Sequence, residues 1–259
     1  MTTDFRAARA RSFDGAAAQY AANRPSYPPA LFDALEDLAG RPLYGARVAD
    51  VGAGTGIATA LLHERGADVV AVEPGDGMAA EFRRRLATVP VLRGDGNALP
   101  LATSCVDLLT YAQSWHWTDP VRSVPEALRV LRPGGALAMW WNTDAPDVPW
   151  LAAQSDRISR RFATEEAARN SPAGARPLER AFAGVAQPPA FTHRVVRWSR
   201  RIPVDTRLAN IGSHSIFLVL GEERAGAFLA EEREQLLTEF PDGFVEEVYD
   251  VHLLVAVAP

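Results

Sequence analysis

The sequence predicts an α/β protein with a mostly parallel sheet and helices on both of its faces. Three observations carry this. Short β-branched runs alternate with helical stretches from residue 47 to 141, the rhythm of βαβ units. Within that stretch a strand enters a loop with glycine at alternate positions, Gly52, Gly54 and Gly56, and passes directly into a helix. The length, 259 residues with 47% hydrophobic and 23% charged, suits one soluble domain of good size.

Residues 5–40 read as Ala-rich helical stretches broken at Arg24-Pro25-Ser26-Tyr27-Pro28-Pro29. Proline suits a first helical turn but not an interior, so a new helix starts near Ala30. It carries Leu31, Phe32, Leu35 and Leu38 at helical spacing and stops at Gly40. Strands follow at 47–51, 67–73, 89–93, 106–112 and 136–141, with helices at 57–65, 77–86 and 121–131.

After Asn142 the rhythm fails. One helix is expected near 151–168, strands at 191–203 and 244–257, and a helical pair over 205–239 between them. No crossover unit joins the late strands, so they are expected as an antiparallel pair at a sheet edge. The expected organisation is one domain over 1–259: a helical lid at 1–45, a binding core at 46–142, and cap helices with the last two strands at 143–259.

Charge and composition narrow the function. All 27 cationic residues are arginine, the net charge is −5, and no basic block tracks a phosphate backbone, so nucleic acid is not expected as a partner. Arginines cluster locally at 83–85, expected on a solvated helix face, and around 194–201. Cys105 is the single cysteine, and His63, His116, His193, His214 and His252 lack metal-ligand spacing, so neither a disulfide framework nor a metal is expected. No apolar run approaches the roughly 20 residues that span a bilayer, and MTTDFRAARARSF has no apolar core behind its basic residues. The expected location is the cytoplasm; nothing in the sequence bears on oligomeric state.

The glycine loop, Asp50-Val51-Gly52-Ala53-Gly54-Thr55-Gly56, allows a tight turn and close approach of a ligand. A dinucleotide loop wants G-x-G-x-x-G, whose last glycine would fall where Ile57 stands. Glu73 ends the next strand, where an acid can accept both hydroxyls of a ribose; alone it fits either cofactor class.

The run D-V-G-A-G-T-G resembles motif I of the class I S-adenosylmethionine (SAM)-dependent methyltransferases, and three further segments match that family in order. By this resemblance Asp50 and the backbone of Gly52, Ala53, Gly54 and Gly56 surround the methionine part of SAM, whose ammonium and sulfonium favour a carboxylate and carbonyl dipoles. Glu73, beside Pro74, would take the ribose. Met78 is similar to the family's apolar adenine contact, or is equally a core methionine. Gly94-Asp95-Gly96-Asn97-Ala98-Leu99-Pro100 resembles the family's G-D-A-x-x-L-P loop, with Asp95 and Gly96 at the adenine. Leu131-Arg132-Pro133-Gly134-Gly135 is similar to a structural turn of the family. A Rossmann-like sheet of seven strands is what the resemblance implies.

Beyond the fourth strand comes Gln113-Ser114-Trp115-His116-Trp117, where an acceptor would face the methyl donor. In small-molecule methyltransferases of the ubiquinone/trans-aconitate type a similar His-Trp pair occurs. The resemblance puts Gln113 near the methionyl end and Trp115, Trp117, Trp141, Asn142 and Tyr27 around the acceptor. His116 is the best candidate for a general base, or alternatively orients its loop; His214 is a second candidate. Tyr20 and Arg24, four apart on one helix face, belong to a segment that in the family folds over the cofactor. The expected reaction moves the SAM methyl group to O, N or C of a small molecule, possibly a carboxylate or a specialised metabolite, and releases S-adenosylhomocysteine. Rival readings are a SAM-binding protein that does not methylate, and a nicotinamide oxidoreductase.

Overall fold

Arg47–Val51 (β1), Asp68–Glu73 (β2), Val91–Arg93 (β3), Val106–Ala112 (β4), Leu131–Asp144 (β5), Thr192–Pro203 (β6) and Phe244–Val257 (β7) form one sheet in the order β3-β2-β1-β4-β5-β7-β6. The first five strands are parallel, while β7 runs antiparallel to both β5 and β6. The computed structural model describes residues 23–162, 182, 190–214, 217 and 222–258. Tyr20 and the last residues of the helix expected at 151–168 lie outside them.

The helices are Pro29–Ala39 (α1), Ile57–Glu64 (α2), Asp76–Arg85 (α3), Pro120–Val130 (α4), Pro149–Phe162 (α5), Val204–Gly212 (α6) and Glu222–Glu239 (α7). Proline opens α1, and left-handed Gly40 closes it by donating to the carbonyls of Asp37 and Glu36. The Asp119 side chain caps α4 by accepting from the Val121 N–H.

Strand alternation sorts two cores. Val48, Leu108, Ala138, Trp140, Val251 and Leu253 pack under α1 and α2 on one face. Their neighbours Ala49, Leu109, Tyr111, Leu137, Met139 and Leu254 pack with α4 on the other. A smaller cluster joins Trp150 and Leu151 of α5 to Val204, Leu208 and Leu236, placing α5 to α7 as a cap over the ends of β6 and β7.

One expectation is corrected. The fifth strand runs over Leu131–Asp144, not 136–141, because Leu131 already pairs with Val106 across a register shift and Gly134 and Gly135 exchange backbone hydrogen bonds with Ala258. The expected turn is thus absorbed into the strand. The arginines around 194–201 lie on β6, the sheet edge. Arg194, Arg197, Arg200 and Arg201 there pair with Asp37, Asp147 and Asp250, Glu247, and Asp242, a charged edge that discourages pairing with another chain.

Candidate active site

The glycine loop leaves β1 at the carboxyl edge of the sheet, and its conformation explains its composition. Gly52, Gly54 and Gly56 have φ of 66°, 58° and 87°, which side-chain-bearing residues rarely adopt. A Cβ on Gly52 would lie 2.5 Å from the Ser114 Cβ, and one on Gly56 2.6 Å from the Leu86 side chain. A Cβ on Gly54 would meet nothing within 4 Å. Gly54 is therefore the glycine that opens outward, as a loop cradling a ligand requires.

Glu73 stands beside it. One carboxylate oxygen accepts from the Gly54 N–H at 2.8 Å, the other from the Gly75 N–H at 2.7 Å. These two backbone donors hold the carboxylate in place beside the loop. Pro74 is exposed, and its carbonyl accepts from Arg93. Met78 is buried on α3.

Asp50 lies differently from the expectation. It is fully buried, and its two oxygens accept from the hydroxyls of Thr59, at 2.6 Å, and Thr110, at 2.9 Å. Burial pushes its carboxyl up to about 6 against the two hydroxyl bonds that lower it. Asp50 therefore supports the loop from beneath, tying β1 to α2 and β4.

Asp95 is exposed and accepts from the Asn97 N–H at 2.7 Å. Gly96 is buried against Thr118 and Tyr111, where a Cβ would come within 2.7 Å of the Thr118 methyl. Sequence reasoning missed the clamp on this loop: Glu126 accepts from the Leu99 N–H, while Arg129 donates to the carbonyls of Leu99 and Leu101. The signal was an acid and a base three apart on α4.

Gln113 leaves β4 with φ of 58°, a left-handed conformation costly for a residue with a Cβ. It donates from its backbone to the Trp140 carbonyl and reaches the Asn142 carbonyl with its side chain. Ser114 next to it fills the space beside Gly52 and donates to the Val51 carbonyl. Trp115 to Trp117 form one turn of 3-10 helix.

Here the expected wall divides. Trp115 is 5% exposed, edge-on to Tyr111 and stacked on Phe182, so it belongs to the core and not to an acceptor pocket. Trp117 and His116 are half-buried side by side. The Trp141 indole donates to His116 Nδ1 at 3.3 Å. An imidazole accepting at Nδ1 carries its proton on Nε2 when neutral. In this geometry Nδ1 is taken up as an acceptor by Trp141, which does not support a general-base role for that nitrogen.

The described part of the lid reaches the same edge. Asn142 donates to the Ser26 carbonyl at 3.2 Å and accepts from the Trp198 indole at 3.1 Å. Tyr27 is buried edge-on to Trp140. Arg24 donates to the Ser213 carbonyl at 3.3 Å, so it is bound to the segment after α6. His214, next in chain, is pushed well below the usual histidine range, chiefly by burial and then by the Arg24 and Arg207 guanidiniums. Among the described residues no group of three or more His, Cys, Asp or Glu could hold a metal, and no helix is long and apolar enough to cross a membrane.

A methyltransferase domain family matches residues 49–139. An uncharacterized methyltransferase of Mycobacterium tuberculosis is 44% identical over 149 residues, 58% of this chain and 59% of that one. A demethylmenaquinone methyltransferase of Beutenbergia cavernae is 38% identical over 119 residues, 46% of this chain and 49% of the relative. These matches cover less than two thirds of either partner. A putative type II methyltransferase structure from Anaeromyxobacter dehalogenans superposes with a TM-score of 0.68 at 24% identity, covering 91% of this chain and 97% of that one, and so shares the fold. The glycine loop and the motifs that follow it thus lie within the stretch that matches the methyltransferase domain family, on the 3-2-1-4-5-7-6 sheet of a Rossmann-like methyltransferase fold.

Proposed function

We propose that this chain is an enzyme that transfers the methyl group of SAM to O, N or C of a small-molecule acceptor. The observation that carries the reading is the pairing of Gly54, open in front and left-handed, with Glu73, fixed by two backbone donors. Glu73 accepts the ribose hydroxyls, Asp95 and the Gly96 backbone meet the adenine, and Met78 packs beneath it. The Asp50 carboxylate supplies the field that favours the methionyl ammonium, and a bound cation in turn favours its ionised form. Bound there, SAM supplies an electrophilic methyl group on a sulfonium and leaves as S-adenosylhomocysteine.

The remaining residues align and exclude water. In-line displacement gains most of its rate from holding the reacting atoms in register in a dry pocket. Gln113 and Asn142 fix the floor between β4 and β5, Trp141 and Trp117 form an apolar wall, and residues 23–28 close over the edge.

Calorimetric titration tests the reading. Micromolar binding of S-adenosylhomocysteine, abolished in Gly54→Val, is expected, together with a methylated product from an acceptor screen. Binding of NAD⁺ in its place would overturn it, and S-adenosylhomocysteine binding with no methylated acceptor would leave a SAM-binding protein without transferase activity.

A further inference from the structure

The loop that carries Asp95 and Gly96 lies at the surface, with Asp95, Ala98 and Pro100 exposed. Its own turn contributes the bond from the Ala98 N–H to the Asp95 carbonyl at 3.2 Å. From beneath, Gly96 meets the Thr118 methyl and the edge of the Tyr111 ring. The Tyr111 hydroxyl there is buried with no partner among the described residues, so this support is packing without a hydrogen bond. Bonds that fix the loop to the rest of the protein come instead from α4.

The helix reaches the loop at alternate residues. At its amino end the Asp119 N–H donates to Asn97 Oδ1 at 2.7 Å, and the Asn97 N–H donates in turn to Asp95 Oδ1 at 2.7 Å. Further along, Glu126 accepts from the Leu99 N–H at 2.8 Å. Arg129 donates to the carbonyls of Leu99 and Leu101 at 3.2 and 2.8 Å. Glu126 and Arg129, three apart on one face of the helix, are joined by two parallel bonds of 2.8 and 2.7 Å. That guanidinium holds the Glu126 carboxyl below the usual carboxylate range and keeps it an acceptor. Val124, Ala127 and Val130, buried in the core, anchor the helix itself.

We propose that Glu126, Arg129 and Asn97 are positioning residues for recognition of the adenine: they hold Asp95 where its carboxylate accepts from the 6-amino group of the base. The inference rests on the methyltransferase reading above. Asp95 Oδ1 is taken by the Asn97 N–H, and Oδ2 has no partner among the described residues, so the neighbouring residue turns the acid and leaves one oxygen for the base. An exposed carboxylate on an unrestrained loop would lose affinity to the ordering of that loop on binding. Here the loop is ordered by α4 before any ligand arrives. The three residues thus act on the cofactor through Asp95 and do not touch it.

The test titrates the full chain with S-adenosylhomocysteine and with S-inosylhomocysteine, in which a carbonyl replaces the 6-amino group. The parent is expected to favour the adenine form by about tenfold or more, since a site built to accept from an amino group rejects an analogue that lacks it. Glu126→Gln should weaken S-adenosylhomocysteine by about tenfold and bring the ratio of the two affinities close to one. A residue that only stabilised the fold would weaken both ligands alike and leave the ratio where it was. Arg129→Lys, which keeps the charge and loses the planar fork, should fall between parent and Glu126→Gln. Should Glu126→Gln fail to fold, Asn97→Ala, at a half-buried loop position, should lower the same ratio, and Asn97→Asp, which keeps an acceptor for the Asp119 N–H, should restore it. A ratio unchanged in Glu126→Gln or, in its place, Asn97→Ala would overturn the positioning role. Equal binding of the two ligands by the parent would overturn it as well, by removing Asp95 from the base. Failure of S-adenosylhomocysteine itself to bind would overturn the methyltransferase reading, and the positioning role with it.

Discussion

The Gly54 N–H donates to Glu73 at 2.8 Å, so the loop that admits a ligand and the acid that would grip it are one hydrogen-bonded unit. Loop and acid come from the ends of neighbouring parallel strands, β1 and β2, and move together if either moves. Glu73→Gln replaces one acceptor oxygen by a donor facing a backbone N–H. S-adenosylhomocysteine affinity is expected to fall by about 10- to 100-fold, consistent with loss of charge-assisted hydrogen bonds worth roughly 1.5 to 3 kcal/mol. Calorimetry on the purified variant checks this; an affinity within twofold of the parent would remove Glu73 from the site.

The first two glycines of the loop should separate stability from binding. Gly52→Ala drives a Cβ to 2.5 Å from the Ser114 Cβ and is expected to cost about 2 to 4 kcal/mol in folding. Gly54→Ala meets nothing, so it costs only the left-handed strain of about 1 kcal/mol, yet it weakens S-adenosylhomocysteine by about tenfold or more. Urea melts of both variants, beside binding data, decide it, and equal destabilisation by the two would contradict the open face at Gly54.

Asp50 gives a pH dependence of definite sign. Its carboxyl is raised from 3.8 to about 6 in the folded chain, so the folded state holds the proton more tightly than the unfolded one. Stability contributed by this group is intact below about pH 4, declines as pH rises through 6, and is flat above, a total of about 3 kcal/mol. Asp50→Asn keeps the shape and can still bond Thr59 and Thr110. It is expected to be as stable as the parent near pH 4 and more stable near pH 7, with weaker binding of S-adenosylhomocysteine. Thermal melts from pH 4 to 8 read the crossing, and parallel pH profiles for the two proteins would refute it.

Arg207→Leu leaves Glu247 and Asp144 short of a cation in the least exposed part of the cap. Breaking a buried pair by removing one partner costs about 3 to 5 kcal/mol. A loss of that size in equilibrium denaturation is expected; a loss under 1 kcal/mol would mean that solvent reaches the cluster.

Trp141→Phe removes the donor that sets the His116 tautomer. Nitrogen NMR of the histidine ring should show the Nε2–H form in the parent and a mixture in the variant. The same Nδ1 and Nε2 pattern in both would assign the tautomer to another contact.

The alternation of strands and helices, and with it the order of β1 to β5, could be read because the strands are short apolar runs separated by glycine, proline or polar breaks. The start of β5 could not, since Pro133, Gly134 and Gly135 spell a turn locally, and only the bonds of Gly134 and Gly135 with Ala258, more than a hundred residues on, keep it in the strand. Glu73 and the glycines were legible because backbone conformation demands them. Trp115 was misread because an aromatic beside a histidine has the same spelling in a pocket wall as in a core, and Tyr111 and Phe182 decide which. The ion pairs of Arg200 and Arg207 with Glu247 could not be read, because β6, β7 and α6 meet only after the sheet closes.

The ties on residues 23–28 come from far along the chain: Ser26 is held by Asn142, Asn23 by Arg200, and Arg24 by the Ser213 carbonyl, 189 residues away. A ribosome therefore releases this segment first and its moorings last. Contacts of such separation are the slowest to form, and domains are synthesised from the amino end at about 5 to 20 residues per second. The binding edge stays roofless until β6 and α6 have emerged, so a chain truncated before residue 200 would carry an intact glycine loop in a site open to water.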